Sequence, residues 1–200
     1  MKIEVKDAGK KFGKQWVFRN LSTEIFPGKT YAITGPNGCG KSTLLKIMAG
    51  MLSLNEGRIL YSVNDKPVEV ESIFRHLTFC SPYLELPEEL RLGELLYFHD
   101  GFRPFEQVTI SELLKLIEID ADKEIRNCSS GMKQRIKLVL AIFTKSDAIM
   151  LDEPTSNFDS RWISWYQDIV QSVHHKKTLL ICSNIHEEYA FSDERINLGL

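Results

Sequence analysis

The sequence has no run of apolar residues approaching the roughly 18 that a membrane-spanning helix needs, so none of it is expected to cross a bilayer. Its first residues, Met1-Lys2-Ile3-Glu4-Val5-Lys6-Asp7, alternate charge with apolar side chains and lack the unbroken apolar stretch of a secretory signal. The chain is therefore expected to stay in the cytoplasm. Cysteine is scarce: Cys39, Cys80, Cys128 and Cys182 lie far apart in no zinc-binding spacing, and a reducing compartment keeps them as thiols. Neither charge sign is in excess. The 25 Lys+Arg against 27 Asp+Glu leave a net charge of −2, and that balance points away from nucleic acid as a partner. Internal repeats and low-complexity tracts are missing as well.

What is present suits one globular domain spanning residues 1–200, with 43% hydrophobic and 26% charged residues and enough chain for a core without staples. Short apolar runs at Ile3–Lys6, Trp16–Ile25, Thr30–Thr34, Arg58–Val63, Leu77–Cys80, Asp147–Leu151 and Thr178–Ser183 read as strands. Lys10–Lys14 reads as the turn between the first two, and Pro27-Gly28 as another. Helical spacing marks Ser42–Ala49, Glu88–His99, Phe105–Ile119, residues 130–143 with Ser129 as N-cap, and Ser160–His175. Strands separated by helices predict an α/β fold with a mainly parallel sheet. The opening strands form an antiparallel lead-in, and residues 86–140 make a small helical subdomain.

Gly35-Pro36-Asn37-Gly38-Cys39-Gly40-Lys41-Ser42-Thr43 matches G-x-x-x-x-G-K-[ST], with a strand before it and a helix after it. Glycines let the backbone wrap a phosphate closely, so that its N–H groups and the helix N-terminus face the anion. Lys41 suits the β- and γ-phosphate oxygens, and the Ser42 hydroxyl suits Mg²⁺. Downstream, Ala148-Ile149-Met150-Leu151 is a buried-strand sequence that delivers Asp152 and Glu153 at its end, where such sheets bind ligands. Asp152 suits the Mg²⁺ shell, and Glu153 is placed to polarise an attacking water.

Together with Asp152-Glu153-Pro154-Thr155-Ser156-Asn157-Phe158-Asp159 and Cys128-Ser129-Ser130-Gly131-Met132-Lys133-Gln134-Arg135, this loop resembles the ATP-binding-cassette (ABC) ATPases. The second stretch is similar to that family's L-S-G-G-Q signature followed by x-Q-R, and the likeness runs over essentially the whole chain. The resemblance implies a P-loop NTPase core with a helical subdomain, and ATP with Mg²⁺ as its ligands. It implies two cassettes, as a homo- or heterodimer, closing head to tail on two ATP molecules. Ser129, Ser130, Gly131 and Met132 of one chain would then meet the γ-phosphate bound by the other. Asp159 matches the aspartate that links the two sites. Phe12 stands where the family stacks an aromatic ring on adenine; a core aromatic is the rival reading, and Trp16 is a second candidate.

Three motifs depart from the pattern. Cys128, Ser130 and Met132 replace leucine, glycine and glutamine in the signature. Pro82 falls where the family has the glutamine of its glutamine loop, and a proline side chain can neither bind Mg²⁺ nor donate a hydrogen bond. Glu85 or Glu89 reaching in, and a merely solvated loop, are the alternatives. Asn184 stands where a switch histidine ends the strand, with His186 as an alternative; asparagine donates a hydrogen bond but carries no proton at neutral pH. His174 and His175 read as solvated residues at the end of a surface helix.

The resemblance implies a cytoplasmic ATPase subunit, peripheral at the inner face of the membrane, that drives transport through a separate membrane-spanning subunit. The substitutions at Pro82 and Asn184 lead to an expectation of slow turnover and keep open a second reading, a nucleotide-dependent regulatory module with little hydrolysis.

Overall fold

The computed structural model describes residues 1–199. The chain opens with β1 (Lys2–Phe12), β2 (Gln15–Ile25), β3 (Thr30–Thr34) and α1 (Lys41–Met48). β4 (Glu56–Val63), β5 (Lys66–Val68) and β6 (Leu77–Cys80) follow. Three helices come next, α2 (Leu92–Phe102), α3 (Ile110–Ile117) and α4 (Ser130–Phe143). The chain closes with β7 (Ala148–Asp152), α5 (Ser160–Gln171), β8 (Thr178–Cys182), α6 (His186–Tyr189) and β9 (Glu194–Asn197).

Alternation in β1 buries Ile3 and Val5 and leaves Lys2, Glu4 and Lys6 at the surface, the pattern of a sheet wetted on one face. This antiparallel sheet runs β2-β1-β4-β5. A second sheet, β6-β7-β8-β3-β9, is parallel throughout. Its central strands β7 and β8 are buried at every residue, which explains the apolar runs Ala148–Leu151 and Leu179–Cys182. Met150 and Leu180 pack toward α1 and the antiparallel sheet, beside Ile3, Ile33, Leu44 and Leu45. Ile149, Leu151, Leu179 and Ile181 pack the other way, against Leu138, Ile142, Tyr166 and Ile169 of α4 and α5. A third cluster, Leu92, Leu96, Leu113, Ile117, Ile136 and Val139, holds α2, α3 and α4 together. Among the described residues no helix is long and apolar enough to cross a membrane.

The structure corrects several element boundaries. Lys10-Lys11-Phe12 belongs to β1, whose register shifts at bulges before pairing Phe12 with Gln15. α2 starts at Leu92 because residues 88–90 turn and Arg91 bridges to Glu124, with Ile125 N–H donating to Leu90 O and Arg126 N–H to Glu88 O. α3 starts at Ile110, where Thr109 caps it; Phe105 is diverted, its N–H donating to Asp100. α5 ends at Gln171, before the histidine pair.

In the parallel sheet β7, β8 and β3 are neighbours. The loops leaving their C-terminal ends, which begin at Glu153, Ser183 and Gly35, therefore emerge side by side.

Candidate active site

The loop between β3 and α1 turns through three glycines with positive φ: Gly35 (145°), Gly38 (81°) and Gly40 (102°). Two of them are sterically required. A Cβ on Gly35 would sit 2.0 Å from the Leu198 carbonyl oxygen, and one on Gly40 would sit 2.3 Å from Val17 Cγ1. Gly40 is the N-cap of α1, so the first helical N–H groups open onto the loop with no side chain to cap them. Cys39 packs back toward the core.

Lys41 is nearly buried, and its Nζ donates to the carbonyls of Gly35 (2.8 Å) and Pro36 (3.0 Å). The ammonium thus lies folded over the loop it is expected to serve. Ser42 Oγ donates to Asp152 Oδ1 at 2.7 Å, while Asp152 Oδ2 is buried with no partner. Burial raises the Asp152 carboxyl above the ordinary carboxylate range, and the Ser42 hydrogen bond pulls it partly back. An unpaired buried carboxylate oxygen beside a serine hydroxyl is a set of hard oxygen donors, and it fits Mg²⁺.

Glu153 follows at the surface with φ 45°, a strained turn held by its N–H donating to Cys182 O at 2.9 Å. Asn184 reaches the phosphate loop: its Nδ2 donates to Asn37 Oδ1 at 2.5 Å. Phe12 is 54% exposed, with the Lys10 ammonium 5.0 Å from its ring, so the core reading fails for it. Trp16 is flanked by the Arg19 guanidinium (4.6 Å) and Lys11 (5.3 Å). Together these groups combine an anion-binding turn, a lysine, a cation-binding pair and an exposed carboxylate, which is what phosphoryl transfer to water requires.

The signature residues lie elsewhere. Ser129 caps α4, its Oγ accepting from Met132 N–H, and Gly131 faces the Asn157 carbonyl, 3.1 Å from where a Cβ would be. Ser130 lines a cleft of about 590 Å³ with Pro82, Glu85, Glu89, Lys137 and Asn157. No phosphate-loop residue lines that cleft, so Glu85 and Glu89 open onto it and not onto the loop. Asp159 caps α5, accepting from Trp162 N–H. His186 sits at the start of α6, past the strand end that Asn184 occupies.

Three contacts that sequence reasoning missed tie these parts together. Lys137 Nζ donates to the carbonyls of Ser81 (3.2 Å) and Pro82 (2.7 Å), fixing the segment where the glutamine is replaced. Gln134 Nε2 donates to Pro154 O at 2.8 Å, joining α4 to the Asp-Glu-Pro turn. Fully buried Glu188 accepts from the N–H of Thr155 at 2.9 Å and from its hydroxyl. A buried-position lysine in the middle of α4 was the one signal the sequence offered.

The family model described as "ABC transporter" matches residues 18–156. The chain belongs to this family. Among curated relatives, this cassette is 30% identical over 167 residues to the Fe(3+) ions import ATP-binding protein FbpC of Fusobacterium nucleatum, covering 80% of this chain and 44% of the relative. It is 33% identical over 172 residues to a sulfate/thiosulfate import ATP-binding protein of Cucumis sativus, covering 80% and 49%. It is 31% identical over 186 residues to the ribose import ATP-binding protein RbsA of Bacillus subtilis, covering 86% and 38%. The cassette thus spans less than half the length of these three relatives. Among solved structures, a putative ABC transporter ATP-binding protein from Pyrococcus furiosus superposes with TM-score 0.82 at 23% identity, covering 99% of this chain and 98% of that one. The dimeric cassette MJ0796 in a post-hydrolysis state bound to ADP and Pi does so with TM-score 0.82 at 21% identity, covering 98% and 94%. At these identities the likeness establishes the ABC ATP-binding cassette fold.

Proposed function

We propose that this cassette binds ATP with Mg²⁺, hydrolyses it, and drives transport through a separate membrane-spanning subunit. The observation that carries the reading is the convergence of Lys41, Ser42, Asp152 and Glu153 at the C-terminal edge of the parallel sheet. On binding, the Lys41 ammonium exchanges the Gly35 and Pro36 carbonyls for phosphate oxygens, while the loop N–H groups hold the β-phosphate. Phe12 offers a solvent-facing ring for adenine. Ser42 and Asp152 would hold the Mg²⁺, which supplies charge neutralisation at the β- and γ-phosphate oxygens. Glu153 orients a water and takes its proton as the oxygen attacks the γ-phosphorus; the bond to the β-bridging oxygen breaks, giving ADP and phosphate. Asn184 donates a neutral hydrogen bond to the γ-phosphate. The intact carboxylate at Glu153 favours hydrolysis over a purely regulatory role.

Two further features support partners. Ser129, Ser130 and Asp159 are exposed, which suits closure on a second cassette. α2 turns Tyr97 (71% exposed) and Phe102 (75% exposed) to solvent together with Phe98, and Tyr83 is exposed beyond β6. Aromatic rings on a helix at the surface suit a membrane subunit that places this chain at the cytoplasmic face. The substitution Lys41→Ala and a co-purified membrane subunit provide the test. Phosphate release should be stimulated by the membrane subunit and lost in Lys41→Ala; equal rates in all samples would overturn the proposal.

A further inference from the structure

At the opposite end of the parallel sheet from the phosphate loop, His174, His175 and Asp193 bring three metal-ligating atoms within 4.8 Å of one another. They come from different segments. The histidines sit in the turn between α5 and β8, and Asp193 precedes β9. Asp193 and His174 are held by contacts outside the group. Asp193 Oδ2 accepts from Thr30 N–H at 2.7 Å, and Asp193 N–H donates to Thr30 O at 2.9 Å, which pins it to the start of β3. His174 packs edge-on against Phe191 at 5.4 Å.

Two features are not those of ordinary surface histidines. The backbone of His175 lies in the left-handed region (φ 60°), a conformation that costs a non-glycine residue free energy. It leaves the two imidazoles 3.7 Å apart, centre to centre. In addition, His174 Nε2 is buried with no hydrogen-bond partner, contrary to the solvated reading its sequence position suggested. A buried ring nitrogen left unpaired is destabilising unless something satisfies it. His175 Nδ1 is 3.9 Å from Asp193 Oδ2, too long for a hydrogen bond, and its 3.4 Å contact to Gly28 O is a weak one.

We propose that His174, His175 and Asp193 form a binding site for a divalent transition-metal ion of the zinc, cobalt or nickel class. Two imidazoles and one carboxylate select such an ion over Mg²⁺ or Ca²⁺, which favour all-oxygen sites. Three protein ligands leave room for water on the solvent side, where His175 is exposed. The ion fastens the α5–β8 turn to the segments before β3 and β9, and so acts on the stability of the sheet from the end remote from ATP.

The test titrates Zn²⁺ calorimetrically into the nucleotide-free chain in excess Mg²⁺, which competes for the hard oxygen donors of the Ser42–Asp152 pair, with Co²⁺ as the spectroscopic substitute. Wild type should bind one equivalent with imidazole and carboxylate ligand-field bands, and its thermal midpoint should rise with Zn²⁺. Affinity should fall by more than about tenfold in His175→Ala and again in His174→Ala. Asp193→Asn, which keeps an oxygen for Thr30 N–H, should fall likewise. His175 is exposed, so its variant reports on the site even if the His174 variant folds poorly. Undiminished binding in His175→Ala, a thiolate charge-transfer band that assigns the ion to a cysteine, or the absence of saturable binding would each overturn the proposal.

Discussion

Asp152 accepts the Ser42 hydroxyl at 2.7 Å, joining the first turn of α1 to the end of β7 and leaving Oδ2 buried and unpaired. Burial raises this carboxyl, so the folded chain holds the Asp152 proton to a higher pH than the unfolded chain does. Ionised Asp152 is therefore a cost at neutral pH, relieved as pH falls through the raised folded value toward the ordinary one. Asp152→Asn should raise the melting temperature of the nucleotide-free chain by about 2–4 °C for each kcal/mol recovered. Calorimetry across acid pH should see that advantage shrink, while ATP hydrolysis by the variant is lost.

Gly35 and Gly38 both have positive φ, yet substitution should separate them. A Cβ at Gly35 meets the backbone oxygen of Leu198 at 2.0 Å, which cannot turn aside, whereas one at Gly38 meets nothing within 4 Å. Gly35→Ala should destabilise the chain by more than the roughly 1–3 kcal/mol of backbone strain alone and abolish nucleotide binding. Gly38→Ala should cost only the strain. Thermal melts and binding of a fluorescent nucleotide check the contrast, and equal effects would mean that Leu198 yields.

Much of this architecture could be read in the sequence because the central parallel strands β7 and β8 are nearly continuous apolar runs and α4 and α5 carry capping residues at Ser129 and Asp159. The missed strands have reasons of their own. β9 is the polar edge sequence Glu194-Arg195-Ile196-Asn197, and β5 contains Pro67, tolerated because it lies at a sheet edge. Within the candidate site, the phosphate loop and the Asp-Glu pair are contiguous motifs. The bonds from Lys137 to Pro82, Gln134 to Pro154 and Glu188 to Thr155 join residues far apart in sequence, and no local pattern encodes such partners.

Lys137 should prove the keystone of the Ser81–Pro82 segment. Its ammonium is buried against two carbonyls, and burial lowers its pKa. Lys137→Met removes two charge-assisted hydrogen bonds, each contributing about 1.5–3 kcal/mol, and also removes the cost of burying the charge. Net stability should therefore change little, while amide exchange in residues 81–86 accelerates. Unchanged protection there would show that the segment is held by other contacts.

Glu153→Gln retains the shape and hydrogen-bonding capacity of the side chain but not its negative charge. If Glu153 takes the proton from the attacking water, turnover should drop by roughly 10²–10⁴ while ATP still binds. Trapped ATP should then accumulate a dimer detectable by light scattering. Hydrolysis at the original rate would hand the chain to the regulatory reading.

Asn184 donates to Asn37 across the phosphate loop at 2.5 Å, which occupies one of its two amide N–H groups and ties the side chain down on the proposed route to the γ-phosphate. In the proposed mechanism the residue would then be a brake in two ways: it occupies the loop, and it would present a neutral donor where charge develops. The two effects can be separated. Asn37→Ala removes the acceptor and should tighten ATP binding without changing the chemical step. Asn184→His replaces the amide with an imidazole whose ordinary pKa near 6.5 gives the rate a new dependence on pH. Below that pKa an imidazolium would face the γ-phosphate oxygens, and a charged donor in this position stabilises the transition state more than a neutral one. Single-turnover hydrolysis by Asn184→His should therefore be faster than wild type, by about tenfold at mildly acid pH, and should converge on the wild-type rate as pH rises. A rate that stays flat or falls across that range would mean that the surroundings of Asn184 and Pro82 are matched to asparagine, and the slowness expected of this cassette would have to arise from the loop pinned by Lys137.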